Sequence, residues 1–183
     1  MIFWIIGIIL LIIAIAIVVV YNGLIVTRNR ADNAWSQIDV QLRKRYDLVP
    51  NLINTVKGYM KHEKQVFIDV TKARTSLMQA KSIDKKGKAD TMLTGTLKTL
   101  FAVAENYPKL QANENFKLLQ EQLEGIENKI AYSRQFYNDS VLDLNNKRQT
   151  FPNSVIAGMM NIKKRDYFAA GEEKAREPVK VDF

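Results

Sequence analysis

The 183-residue chain has no cysteine, a single histidine and four prolines. Without thiols, disulfides, thiol catalysis, thiolate zinc sites and a lipidated N-terminal cysteine are excluded. The lone histidine lies in Lys61-His62-Glu63-Lys64-Gln65-Val66. That string begins like the zinc-protease helix, but valine stands where the second metal-binding histidine must be. His62 therefore reads as a surface residue on a charged helix face. Walker loops, GxGxxG and G-x-S-x-G strings are also missing. The acidic pairs Glu121/Glu124 and Glu172/Glu173 stand among lysines and read as solvated charges on a helix face and in a tail. The chain is predicted to be no enzyme, with no catalytic residue, no metal and no cofactor. Net charge is +8. The basic residues are interspersed with acids and match no nucleic-acid module, so nucleic acid is not expected as a partner.

Charged side chains are missing altogether from residues 2–21, a run of Ile, Leu, Val and Ala with Gly7 as its only small break. About twenty apolar residues at ~1.5 Å each span the ~30 Å hydrocarbon core of a bilayer. Ile2, Ile9, Leu10 and Ile17 represent this span. Trp4 and Tyr21 near its ends suit the headgroup level. A cleaved signal peptide needs a basic leading region, and none precedes Ile2. Residues 1–21 are thus predicted to be a retained single-pass anchor, with the lipid bilayer as first partner. Arg28 and Arg30 follow the span while no charged side chain precedes it. The positive-inside rule then places the soluble domain in the cytoplasm.

Beyond the span, apolar residues recur at steps of three and four: Trp35, Ile38, Leu42, Val49, Leu52, Val56 and Tyr59, then Val66, Val70, Ala73 and Leu77. Arg45 and Glu63 interrupt the series. The spacing predicts a long amphipathic helix over residues 22–80 with coiled-coil-like packing, continuous with the span and nearly 90 Å long at ~1.5 Å per residue. Pro50 predicts a kink, or two collinear helices meeting near Asp47. Residues 81–90 have no periodicity and read as an exposed loop, with Asp90 or Thr91 capping the next helix. That helix carries Leu93, Leu97 and Leu100 and should end before Pro108. Asn113 is the expected cap of a third helix, through Phe116, Leu123, Ile130, Tyr137 and Leu144 to about Gln149. No stretch alternates with period two, so no sheet is predicted. The expected fold is all-α: a transmembrane helix continuing into an antiparallel bundle of three to four long helices over residues 22–160, then a charged tail over 161–183.

Two patches stand out. Arg43, Arg45, Tyr46, Asp47, Pro50 and Asn51 place a basic cluster and an acid beside a mid-helix proline. They form either a recognition site at a kink or an internal network in which another helix supplies a carboxylate to Arg45. A buried charge at a seam position fixes register more than it adds stability. The second patch is Val155, Ile156, Met159 and Met160 followed by Lys163 and Lys164. It can lie on a membrane, bind a partner or close the end of the bundle.

Residues spread along nearly the whole chain carry a family likeness. They are Ala34-Trp35-Ser36-Gln37-Ile38-Asp39, Arg45-Tyr46-Asp47-Leu48-Val49-Pro50-Asn51-Leu52, Lys57-Gly58-Tyr59, Tyr107-Pro108, Ala112-Asn113-Glu114-Asn115-Phe116, Glu124-Gly125-Ile126-Glu127-Asn128, Phe151-Pro152 and Pro178-Val179-Lys180-Val181-Asp182-Phe183. On these the chain resembles the bacterial LemA family. The resemblance implies a single-pass protein of a bacterial inner membrane with a helical bundle domain and no known enzyme activity. A magnetosome relative takes part in making an internal membrane compartment, which by analogy suggests scaffolding. Some members are encoded near a membrane zinc protease, which suggests an adaptor. The expected function is accordingly a self-associating scaffold, a homo-oligomer that organises membrane. The alternative is an adaptor or sensor for another membrane protein.

Overall fold

The computed structural model describes residues 1–168, which form six helices and, among those residues, no strand. They are α1 (Ile2–Lys57), α2 (Lys64–Gln79), α3 (Ile83–Ala104), α4 (Pro108–Gln111), α5 (Glu114–Gln149) and α6 (Asn153–Met159). The fold is an all-α antiparallel bundle preceded by an apolar helix. The chain divides into two compact units. The first is Met1–Ile38 with Tyr132–Tyr167; the second is Asp39–Ala131 with Phe168.

In the first unit, the most apolar part of α1 has a mean hydropathy of 3.4 and none of it is buried. It is long and apolar enough to cross a membrane. Burial begins at Leu24, three residues beyond Tyr21, and continues at Thr27, Ala31, Ala34 and Ile38. The covering side chains come from α5, where Tyr137, Val141 and Leu144 are buried. Trp35 meets Tyr137 with ring centroids 5.6 Å apart, and Lys147 Nζ donates to Thr27 Oγ1 at 2.8 Å. The two helices therefore run antiparallel, with the end of α5 approaching the foot of the apolar segment. α6 ends in a Schellman motif: Ile162 N–H donates to Ala157 O at 3.0 Å and Asn161 N–H to Gly158 O at 3.1 Å. Asn161 takes the left-handed conformation this requires, with φ of 51°. The chain then runs back along α5. Arg148 Nε donates to Ile162 O, Asn145 pairs with both backbone groups of Arg165, and Tyr137 Oη donates to Asp166 O. Part of the predicted tail is thus tied down. The rest of it, with Glu172 and Glu173, lies outside the described residues.

In the second unit, Val49, Leu52 and Val56 of α1 are buried, as are Val70, Ala73 and Leu77 of α2, Leu93, Leu97 and Leu100 of α3, and Leu123 and Ile130 of α5. Two sequence expectations are corrected here. The first helix does not run to residue 80 but stops at Lys57, and α2 packs beside α1. The charged stretch Lys61-His62-Glu63-Lys64 offers no apolar residue to carry the seam, while Met60 is buried in the turn. Residues 81–90 are not a loop either, because α3 begins at Ile83. Ser82 caps it by accepting from Lys85 N–H at 3.3 Å. Gly87 and Ala89 are buried in this turn. Small residues allow close helix approach but give no hydrophobic period. At the other end of the unit, Asn113 caps α5 as expected, with Oδ1 accepting from Phe116 N–H at 3.0 Å.

Helix α1 passes through Pro50 without ending. Proline has no N–H, so the carbonyl four residues earlier loses its helical partner. That carbonyl belongs to Tyr46, and it accepts from Arg74 Nε of α2 at 2.8 Å. The helix–helix contact thus supplies the hydrogen bond that the proline removes.

Candidate functional site

The first patch resolves into an inside and an outside. Arg45 is fully buried and is the largest fully buried side chain among the described residues. Its Nη1 donates to Asp90 Oδ1 of α3 at 2.7 Å and its Nη2 to Glu127 Oε2 of α5 at 3.2 Å. One guanidinium therefore ties three helices together. The side chains of Arg45, Asp90 and Glu127 are 2%, 7% and 42% exposed. Arg45 Nε is buried without a hydrogen-bond partner. Asp90 is a network member rather than the helix cap its position suggested. Neither partner was identifiable beforehand: Asp90 sat in a stretch that looked like a loop, and Glu127 looked like one of many acids on a polar face.

The neighbours of Arg45 face elsewhere. Arg43 is exposed and pairs with Asp39 one turn back at 3.1 Å. Asp39 also takes an ion pair from Lys86 of α3. Tyr46 and Pro50 are half-buried, and their backbone is completed by Arg74. Asn51 is exposed, and its carbonyl accepts from Thr55 Oγ1 at 2.9 Å.

Lys44, Asp47 and Leu48 line an open groove of about 570 Å³ between α1 and α5. Leu48, Leu118 and Ile126 make its apolar wall, and Lys44, Lys129, Asp47 and Glu121 stand around it. Leu118 is more than half exposed. Gly125 also lines the groove, and a Cβ built there would meet nothing within 4 Å. A mid-helix glycine costs about 1 kcal/mol against alanine. With no side chain, Gly125 adds only backbone to the groove's wall. Leu118 and Gly125 were not singled out from the sequence; an exposed leucine and a helical glycine on a polar face were the available signals.

The second patch lies on α6 and the segment after it. Val155, Met159, Lys163 and Lys164 are exposed, Ile156 and Met160 are half-buried, and Ala157 is buried. Among the described residues, no group of three or more His, Cys, Asp or Glu side chains is arranged to hold a metal ion.

Tyr137 carries a perturbed ionisation. Burial holds its hydroxyl above the ordinary tyrosine range, and Asp166 and Asp32 reinforce this while Arg165 opposes it. A raised folded-state value means that above about pH 10 the unfolded chain gives up this proton first. The native state then binds more protons, and stability falls as pH rises. Tyr137 is expected to cost nothing below about pH 10 and to destabilise progressively above it. Thermal unfolding between neutral and strongly alkaline pH checks this: the wild type should lose stability more steeply than Tyr137→Phe, and parallel profiles would refute the assignment.

No curated protein matches the chain. The model of the LemA family matches residues 34–183, which begin beyond the apolar segment and include both the Arg45 network and the groove. A match over most of the chain establishes membership: the protein belongs to the LemA family.

Proposed function

We propose that the protein is a non-enzymatic, membrane-anchored scaffold that associates with copies of itself. In this reading α1 crosses the bacterial inner membrane once. Arg28 and Arg30, just past the apolar run, favour a cytoplasmic position for the helical domain. The observation that carries self-association is the composition of the groove beside Arg45. Its wall is apolar, and its four charges balance, with Lys44 and Lys129 against Asp47 and Glu121. A two-fold interface needs such a self-complementary patch, because each copy must offer both signs to the other. Repeated contacts between anchored copies would organise the membrane beneath them.

The test is the mass of the detergent-extracted full-length protein, measured by light scattering across concentrations. The wild type should grow in mass with concentration. Leu118→Glu places a charge on the exposed wall and should weaken association at least tenfold, about 1.4 kcal/mol, without changing the melting temperature. A strict monomer at every concentration overturns self-association. The groove would then favour the second reading, an adaptor or sensor. Its apolar wall would take a helix of another membrane protein, such as a membrane protease, and Lys44, Asp47 and Leu48 would be its contacts.

A further inference from the structure

We propose that α6 is seated in the headgroup layer of the membrane that α1 crosses, with Phe151, Val155 and Met159 against lipid and Lys163 and Lys164 against anionic headgroups. The inference rests on the reading of α1 as a membrane span, and it adds a second contact with the same bilayer.

Position is the first support. Thr27 is six residues past Tyr21, or about 9 Å along the helix, and Lys147 near the end of α5 is bonded to it. Leu24, closer still, is fully buried although the helix before residue 20 is bare. The antiparallel course of α5 carries Phe151 and α6 further toward the foot of the span. α6 therefore stands where the hydrocarbon of a bilayer gives way to headgroups.

The second support is the outward face of α6. Phe151, Val155 and Met159 are 85%, 57% and 83% exposed. Val155 and Met159 are four apart on α6 and so fall on one side of it, and Phe151 stands exposed in the turn just before the helix. A phenylalanine and a methionine left this bare in water lose the stabilisation that burial gives, about 25 cal/mol for each Å² of apolar surface. Lys163 and Lys164 follow within one turn of the chain reversal and are exposed as well. An apolar face flanked by lysines is the composition of a helix lying at an anionic membrane surface.

The third support is preorganisation. Seven residues cannot hold a helix alone in water. Here the Schellman bonds at Ala157 and Gly158 fix the end of α6, and Asn145 and Arg148 pin the returning chain. The face is thus already formed. The covalent anchor holds it next to the bilayer, so even a weak surface contact becomes an intramolecular one.

The absence of cysteine allows a direct test on the full-length chain. Single cysteines at Ile9→Cys, Tyr132→Cys, Val155→Cys and Met159→Cys would carry spin labels. The variants would be reconstituted in phosphatidylcholine vesicles with and without phosphatidylserine. Depth is read from relaxation by oxygen, which partitions into lipid, and by a water-soluble nickel chelate. Position 9 should read deep, and position 132, exposed and about 22 Å back along α5 from Lys147, should read wet. Positions 155 and 159 should read as interfacial, and more so with phosphatidylserine. K163E/K164E should reverse that lipid dependence. If position 9 is deep while 155 and 159 are as wet as 132, the α6 contact is overturned and the span stands. Shielding of 155 and 159 from both reagents would mean contact with protein, and would also overturn it. A wet position 9 would refute the span and, with it, this inference.

Discussion

Arg45→Met is expected to cost the full-length protein about 3–5 kcal/mol, because it takes the guanidinium, and with it the pairing positive charge, away from the buried Asp90 carboxylate. Methionine is chosen because it conserves most of the volume and the apolar stem, so that the loss reports charge rather than a cavity. Asp90→Ala should cost a comparable amount, since the guanidinium is then left with the half-exposed Glu127 alone. Glu127→Ala should cost only about 1 kcal/mol, since water can replace a partner at that edge. The double variant R45M/D90A should fall well short of the sum, with a coupling of about 2–3 kcal/mol. Urea unfolding in mild detergent, followed by far-ultraviolet circular dichroism, measures all four. Additive single losses would show that Arg45 and Asp90 act independently, against the geometry.

That network marks the limit of what the sequence reveals. An arginine at an apolar seam position announces a buried charge, and its need for a carboxylate follows from the cost of burying it unpaired. Which carboxylate answers depends on how α3 and α5 dock, and docking depends on residues with no periodic signal. Gly87, Ala89 and Asp90 are buried, yet they belong to a run of lysines and small residues that resembles a loop. Helices recognised by large apolar residues, such as α5 with Phe116, Leu123 and Ile130, were legible to within a residue of their ends. The helix that packs through small residues at its start was legible only from Leu93 onward.

Pro50 shows the same limit in reverse. A proline in a helical pattern signals a kink because it orphans a carbonyl, and nothing local repairs the loss. The repair comes from Arg74, twenty-eight positions from the Tyr46 carbonyl it satisfies. The interruption of the seam at Glu63 coincides with the chain reversal after Lys57, but the period resumes at Val66 and so predicts one long helix through it. The groove was half legible. Lys44, Asp47 and Leu48 lie in a conspicuous stretch, whereas Leu118 and Gly125 become meaningful only when α5 is laid beside α1.

Asn145→Leu is expected to free the chain that follows α6 while leaving the rest of the protein folded. The buried Asn145 amide does for Arg165 what a neighbouring strand would do. Its Nδ2 donates to the Arg165 carbonyl at 3.0 Å, and its Oδ1 accepts from the Arg165 N–H at 3.0 Å. Leucine fills similar space and satisfies neither group, and each buried backbone group left unpaired costs about 1–3 kcal/mol. A local loss of about 2–4 kcal/mol is therefore expected. The segment keeps the Arg148 bond to Ile162, the Tyr137 bond to Asp166 and the ion pair of Arg165 with Asp32. Opening at this end needs only those contacts to break, so the loss should appear as local release rather than global unfolding. Lys163, Lys164 and Arg165 provide tryptic sites within it. Where cleavage tracks the open population, cutting at these three residues should accelerate by about one to three orders of magnitude. Mass spectrometry of the timed digest identifies those cuts. Asn145→Asp sharpens the result: it keeps the acceptor for Arg165 N–H but sets a carboxylate against the Arg165 carbonyl, so it should be released almost as readily. Unchanged cutting in both variants would mean that Arg148, Tyr137 and Asp32 hold the segment without help, and the fixed face of α6 would then owe nothing to Asn145.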